Sequence, residues 1–358
     1  MTQSPPPPSS DLPAPGSGGA ARRMQAEAAR QRRPVPGAPL LEELVRQAAL
    51  AANAHNTQPW QFLVAPERIR ILPDPARRTP VVDPDDHHLH LSLGCAAENL
   101  ILAASAEGIA ARAAWDGNSV AIALGPAGSC PHPDRLAAAI PLRQTTRGPY
   151  DGSRAGAAEL LQLEAAGAAQ GVALRLCTEA TALEALAEIA ASAAAAQLAD
   201  PAFRAELLAW LRFSPARALA TGDGLYGPSA GAPALPDWLG RRLFGAALRP
   251  QAEGNKLRAE IASSAGVAVF AGAGQDPASR LRTGRSLQRV CLAAARLGLR
   301  TAPVNQPVEV PAFRGALADW AGMPGRRPDF VLRFGRAPAM PWSLRRPPAA
   351  VIRRDPAS

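Results

Sequence analysis

The sequence predicts an α+β protein built from two related halves, each a sheet flanked by helices. Residues 94–109, GCAAENLILAASAEGI, align without a gap on residues 284–299, GRSLQRVCLAAARLGL, pairing Gly94 with Gly284, Leu102 with Leu292 and Gly108 with Gly298. Apolar positions recur at helical spacing in both copies, and each closes on a glycine where a left-handed C-terminal cap belongs. Runs of strand character, QFLV and RIRILPD before the first copy and VALRLCTE, GVAVFAG and DFVLRFG around the second, supply the sheets. Two alanine-rich helices could resemble each other by composition alone; matching glycines at both ends favour duplication. At 358 residues the chain is long enough for two core-sized units.

Residues 1–37 open as MTQSPPPPSSDLPAPGSGG and hold few large apolar groups, which predicts a disordered tail with structure beginning near Pro39. The first half is assigned to 38–140 and begins with a helix-like run, LLEELVRQAALAA. The next eight residues, NAHNTQPW (53–60), hold two asparagines, a glutamine, a proline and a tryptophan, more than a surface turn needs. In DPDDHHLHL, Asp83 suits an N-cap, Pro84 the first helical position, and Asp85 and Asp86 the positive end of the dipole of a helix running into LSLGCAAENL. His87 and His90 lie one turn apart, but no second cluster with metal-ligand spacing accompanies them.

The second half is assigned to 141–354. It starts with PLRQTTRGPY, where Arg143 and Arg147 flank Thr145 and Thr146. As the first turn of a helix, this spacing would put both guanidinium groups on one face, a cradle for a phosphate monoester; a solvated basic helix start accounts for the same residues. Residues 200–255 have no counterpart in the first half. Their Gly/Pro-rich stretch carries Trp210, Phe213, Tyr226 and Trp238, which suits a lid over a binding site or the ordinary core of an inserted helical pair. GPSAG (227–231) matches a nucleophile elbow only formally, since it lies among prolines and the last histidine, His132, precedes it. VAVFAGAGQDP offers GxG alone, with Pro277 where a dinucleotide-binding helix should open.

The net charge is +9, and Lys256 is the only lysine, so arginine also does lysine's surface work and Schiff-base chemistry is disfavoured. Two tyrosines, eight phenylalanines and no aromatic–basic interleaving argue against nucleic acid as a partner. Cys95, Cys130, Cys177 and Cys291 stand far apart and read as thiols of a reducing, cytoplasmic compartment. Arg22-Arg23 lacks a following apolar stretch, which disfavours export, and the alanine-rich run 189–199 reads as too short for a membrane span.

Taken in order, NAHNTQPWQF, LRQTTRGPY, GLRTAPVNQPVEV and SLRRPP resemble motifs of the nitroreductase superfamily of FMN flavoproteins. The chain is most similar to the Acg-like branch, in which two nitroreductase units are fused into an intramolecular pseudo-dimer. The resemblance spans Leu40 to Arg354 and implies an oxidoreductase in which the flavin carries the chemistry and no protein residue is catalytic. By the same resemblance, Arg143, Thr145 and Arg147 hold the FMN phosphate and ribityl chain, and Arg345 and Arg346 form a basic pair reaching the phosphate. Asn53 and Asn56 supply amides from across the interface, where the family has Pro-Ser-Ser-x-Asn-x-Gln-Pro-Trp and this chain has Ala52-Asn53-Ala54 in place of Pro-Ser-Ser. Gln58 and Trp60 either touch ligand or, as such residues more often do, brace the turn. Asn305 and Gln306 lie near the reactive edge of the ring. One composite site per monomeric chain is expected, because each motif occurs in one half only. The implied activity is ping-pong hydride transfer from NAD(P)H through FMN to a small nitroaromatic or quinone; the alternative is a non-catalytic FMN-storage protein whose lid covers the flavin.

Overall fold

The computed structural model describes residues 18–168 and 172–354. Its first element, α1 (Gly19–Arg30), falls inside the stretch expected to be disordered, of which residues 1–17 lie outside the described residues. GAARRMQAEAAR is rich in helix-forming residues, and Met24 and Ala28, four apart, are fully buried against Ala218, Tyr226 and Leu344. The proline- and serine-rich residues before it masked this pattern in the average over 37 residues.

The first half continues with α2 (Leu40–Ala48), β1 (Trp60–Ala65), β2 (Arg68–Pro73), α3 (His87–Ala106), β3 (Ile109–Trp115) and β4 (Val120–Ala127). The helix α3 starts later than expected. Asp86, with a left-handed φ of 54°, takes the cap position and Pro84 stays outside, while the Asp83 carboxylate accepts the amides of His88 and Leu89 at 3.0 and 2.9 Å. The second half holds α4 (Ala157–Ala168), β5 (Ala173–Cys177) and α5 (Ala180–Ala199), then the insertion. The insertion contains α6 (Pro201–Trp210), β6 (Leu211–Arg212), α7 (Pro215–Thr221), β7 (Leu225–Tyr226), α8 (Asp237–Ala247) and the start of α9 (Pro250–Ala262). There follow β8 (Gly266–Ala271), α10 (Pro277–Arg296), β9 (Arg300–Pro303), the single turn α11 (Gln306–Glu309), α12 (Arg314–Trp320), β10 (Phe330–Gly335), the single turn α13 (Pro348–Val351) and β11 (Ile352–Arg354).

Two expectations change here. Pro277 does open a helix, at its first position behind an Asp276 cap. The preceding loop is nonetheless no phosphate cradle, because its Gly272 and Gly274 amides are bound by Asp329 and Ser279. The run 189–199 is the end of the 20-residue α5, which by length and composition alone could cross a membrane, as could α3. Of α3's apolar window, 83% is buried in the protein, and α5 packs along α9.

The first sheet has the order β11-β1-β2-β4-β3 and the second β5-β8-β10-β9. Within these two sheets every pairing among the described residues is antiparallel except β1 with β11, where Phe62 pairs with Ile352; in the insertion β6 and β7 form a separate parallel pair. The end of the second half therefore completes the sheet of the first, so the boundary at 140 divides the sequence and not the space. In β8 every residue is buried: Ala268 and Phe270 face the core shared with α3 and α10, and Val267 and Val269 face α5 and α9.

The helices α3 and α10 cross at the centre of the protein, and the repeat's glycines are the crossing point. A Cβ on Gly94 would lie 2.3 Å from the Leu281 carbonyl oxygen, and one on Gly284 would lie 2.1 Å from that of Leu91. Each carbonyl sits three residues before the opposing glycine's counterpart, so the contact obeys the internal symmetry. Around it, Gln288 donates to Asn99 at 2.7 Å, and the buried Glu98 carboxylate receives Arg285 and Arg289 at 2.8 and 3.0 Å. Gly108 and Gly298, at φ 74° and 72°, are the expected left-handed caps. Replacing Gly94 or Gly284 by alanine should therefore lower the unfolding free energy by about 2–3 kcal/mol through overpacking, against about 1 kcal/mol at the sterically open caps. Urea midpoints at unchanged slope measure this, and equal losses at crossing and cap would contradict the packing account.

Candidate functional site

Between the halves lies a cleft with two adjoining lobes. The larger, about 300 Å³, is walled by α3, α10, β9 and the insertion. The smaller, about 70 Å³, is lined by Arg32, Arg143, Arg345, Ser229, Tyr226 and Trp342 among others. Asn53, Arg143, Thr145 and Arg147 line both lobes.

Residues 143–147 reach the cleft as extended chain, not as the first turn of a helix. Thr145 forms a parallel bridge with Thr301, and the Thr146 amide donates to the Thr301 carbonyl at 2.9 Å. The β-branched Thr145-Thr146 pair and the following Gly148-Pro149 disfavour helix here. In extended chain alternate residues share a face, so Arg143, Thr145 and Arg147 still converge on the cleft. On the other face, Gln144 holds the Met340 backbone through both ends of its amide.

Among the described residues, the small lobe holds buried positive charge without a paired counter-charge. Arg143 is 4% exposed; it donates to the Leu50 carbonyl at 3.3 Å and to Thr145 at 3.5 Å, and its Nε has no partner. Arg345 donates to the carbonyls of Ala49 and Ala51 and to Asn56 Oδ1. Arg32 donates to the Ala28 carbonyl and stacks its guanidinium 4.4 Å from the Trp342 ring centroid. No carboxylate pairs with any of the three among the described residues. Burial, and then the other arginines, lower the pKa of Arg345 well below its ordinary value and that of Arg32 to about 9; burial likewise lowers that of Arg143. Uncompensated buried charge is costly, and a bound anion would relieve it.

The crowded turn serves the protein itself. His55, Asn56 and Gln58 adopt left-handed φ values of 47°, 53° and 53°, a concentration of strain that needs fastening. Asn53 accepts the Gln58 amide at 2.9 Å and donates to the Ala51 carbonyl. Asn56 donates to the carbonyls of Gly224 and Leu344 at 3.0 and 3.1 Å and accepts from Arg345 at 2.8 Å. Gln58 donates to the Gly222 carbonyl and accepts the Arg346 amide. Asn53 and Asn56 thus line the cleft, Asn53 fastening the turn to itself and Asn56 clamping the insertion and the C-terminal segment to it. Gln58 and Trp60 brace and pack, Trp60 being fully buried.

Arg346 is not among the residues lining either lobe: it lies 3.6 Å from Asp74, donates to the carbonyls of Gln58 and Ala350, and so holds structure together. Asn305 and Gln306 line the larger lobe; Asn305 Oδ1 accepts the Val331 amide, whereas the buried Gln306 Oε1 has no partner. The insertion contributes Phe203, Leu207, Leu225 and Leu248 to the lining of the larger lobe. Of the aromatics singled out in the sequence, Trp238 is 69% exposed, Phe213 meets Phe244 edge-on, Trp210 lies beside Arg212, and Tyr226 lines the small lobe. His87 bonds the Asp329 carbonyl and His90 that of Asp86, so the two do not converge.

Arg32, Ser229, His55 and His88 line the cleft without having been singled out in the sequence. Arg32 was one arginine among many in a stretch without apparent structure. Cys95 and Cys291 also line the larger lobe, and burial raises both thiol pKa values, keeping them protonated. His55 is pushed down from 6.5 to about 4 by burial, then by Arg147 and His88. The unfolded chain therefore binds this proton between those values and the native state does not, so the stability His55 confers falls as pH drops from about 6.5 to 4. Urea unfolding of wild type and His55→Gln across this range should show the shallower pH dependence in the variant; parallel curves would contradict the assignment.

No protein-family model matches the chain. The chain is 28% identical over 322 residues to the candidate NAD(P)H nitroreductase Rv3131 of Mycobacterium tuberculosis, covering 85% of this chain and 87% of the relative. It is 27% identical over 323 residues to the candidate NAD(P)H nitroreductase acg of the same organism, covering 88% and 93%. A candidate nitroreductase structure from Anabaena variabilis superimposes with a TM-score of 0.44 at 10% identity over 87% of this chain and 91% of that one. The FMN-dependent nitroreductase NfnB of Mycobacterium smegmatis, in complex with NADPH, gives 0.35 at 19% identity over 57% and 89%. At these scores the superpositions add no weight to the sequence kinship.

Proposed function

The chain belongs to the nitroreductase superfamily, in its Acg-like branch of two fused halves, and we propose that its two-lobed cleft binds one FMN and serves an NAD(P)H-dependent oxidoreductase. The observation that carries this is the cluster of unpaired, buried guanidinium groups opening onto a cavity walled by both halves. A phosphate dianion suits the small lobe, where the Arg143 Nε–H lacks an acceptor. A planar ring suits the larger lobe, whose Gln306 Oε1 lacks a donor. The second half alone supplies the Arg143–Arg147 strand and the first half alone the strained turn, which gives one site per chain.

The chemistry a bound FMN supplies is hydride transfer, from NAD(P)H to a small nitroaromatic or quinone acceptor in ping-pong order. The protein's part is placement and electrostatics. Arg143 and Arg345 anchor the phosphate, and Thr145 offers a hydroxyl at the junction of the lobes. Arg147 has no carboxylate within ion-pairing distance among the described residues, and its charge stands where negative charge on the ring would be offset. The Asn305–Gln306 segment faces the ring lobe.

A second reading, storage of FMN without turnover, is favoured by one observation: Phe203, Leu207, Leu225 and Leu248 of the insertion line the larger lobe, in the space nicotinamide and acceptor would need. Anaerobic NADPH titration separates the two. Bleaching of the visible flavin absorbance marks the enzyme, and persistent colour marks storage. A colourless protein that FMN fails to reconstitute overturns both. Arg143→Ala should weaken FMN binding by about 10- to 150-fold, the equivalent of about 1.5–3 kcal/mol for a charge-assisted contact, as read by equilibrium dialysis; unchanged retention removes Arg143 from the site.

A further inference from the structure

The third cation of the small lobe comes from outside both halves. Arg32 follows α1, and α1 is fastened to the C-terminal segment by two glutamines. Gln25 donates to the Trp342 carbonyl at 3.2 Å and accepts the Trp342 amide at 2.9 Å. Gln31 does the same for Arg345, at 2.9 and 2.8 Å. Each side chain satisfies both backbone groups of its partner, a specific register that loose packing would not need. Met24 and Ala28 meanwhile seal α1 against Tyr226 and Ala218 of the insertion. Arg46, through its Nη1, donates to the Gln31 carbonyl at 2.6 Å and fixes the chain just before Arg32.

So held, Arg32 is 8% exposed, its ring-stacked guanidinium has no carboxylate partner among the described residues, and it sits with Arg143 and Arg345 in a lobe of about 70 Å³. Ser229 lines the same lobe from the insertion, with its buried hydroxyl unbonded. Three guanidinium groups and a spare hydroxyl in so small a space match a terminal phosphate monoester, two negative charges and three acceptor oxygens. A helix spending two glutamines and an apolar stripe to bury an unpaired cation has a reason only if that cation meets an anion there.

We propose that Arg32 is a phosphate-binding residue and that α1 is the wall that closes the small lobe, making the site selective for ligands ending in a phosphate monoester. This rests on the flavin reading for the identity of the ligand, but not for the chemistry of the lobe. The test compares wild type, Arg32→Gln and Arg32→Lys by binding of FMN and riboflavin, and by the thermal shift inorganic phosphate produces over chloride at equal ionic strength. Circular dichroism confirms that each variant is folded.

In wild type, FMN should bind at least about 100-fold more tightly than riboflavin. Arg32→Gln should reduce that ratio about tenfold or more, leave riboflavin affinity unchanged and abolish the phosphate shift, and Arg32→Lys should restore part of the ratio. An unchanged ratio in Arg32→Gln, or equal losses for FMN and riboflavin, overturns the proposal and leaves FMN binding intact as a conclusion. Should wild type take up neither flavin yet be stabilised by phosphate in an Arg32-dependent way, the lobe's assignment stands and the flavin reading falls. If no ligand binds and phosphate gives no shift, both fall.

Discussion

The structure depends on how closely α3 and α10 can approach. Two backbones meet at Gly94 and Gly284 without a single intervening side-chain atom, each glycine receiving a carbonyl of the other helix. That approach joins the two halves through one continuous core, and it determines the width of the cleft above it. Leu91, Ser92 and Cys95 on one helix and Leu287 and Cys291 on the other all line the larger lobe within two turns of the crossing. A wider crossing would move the arginine strand of the second half away from the turn of the first. The interior contact and the geometry of the site are therefore one constraint, imposed by the absence of a methyl group at two symmetric positions.

Around this centre, polar side chains are used to hold chain segments that have no regular structure. Asn56 and Gln58 hold the insertion at Gly222 and Gly224 and the C-terminal segment at Leu344 and Arg346. Gln144 holds Met340, and Gln25 and Gln31 hold Trp342 and Arg345. Residues 340–346 form no strand or helix of their own; side-chain amides satisfy backbone groups that a sheet would otherwise pair. The buried Arg345 donates to four oxygen acceptors, the backbone carbonyls of Ala49, Ala51 and Leu344 and the amide oxygen of Asn56, none of them negatively charged. Specific hydrogen bonding thus keeps the cation in place while leaving its charge unneutralised.

Much of this was legible in the sequence, and the limits have physical causes. The repeat gave the two central helices and both caps because helical periodicity and αL glycines are local signals, and RIRILP, ALRLC, GVAVFA and FVLRFG are strands within the runs expected. The Arg143, Thr145 and Arg147 triad converges on the cleft although the local structure is extended, since positions two and four apart share a face of a strand much as positions four apart share one of a helix. The bracing role of the Asn56 amide was not legible because the carbonyls that engage it lie 168 and 288 residues away, beyond any local pattern. Arg32 and α1 were hidden for the same reason: what orders them is Leu344, Tyr226 and the backbone of residues 342–345. Arg346 shows the converse, a residue whose neighbour in sequence points into the cleft while it points to Asp74.

The exchange of β11 bears on how the protein is made. The first half emerges from the ribosome with its sheet one strand short, and the missing edge appears only once synthesis has reached Arg354. Phe62, Leu63 and Val64 stay unpaired along one side until Ile352, Arg353 and Arg354 have been made. The sheet of the first half is thus finished by the second, and a cleft walled by both can receive a ligand only after the residues of both have been synthesised.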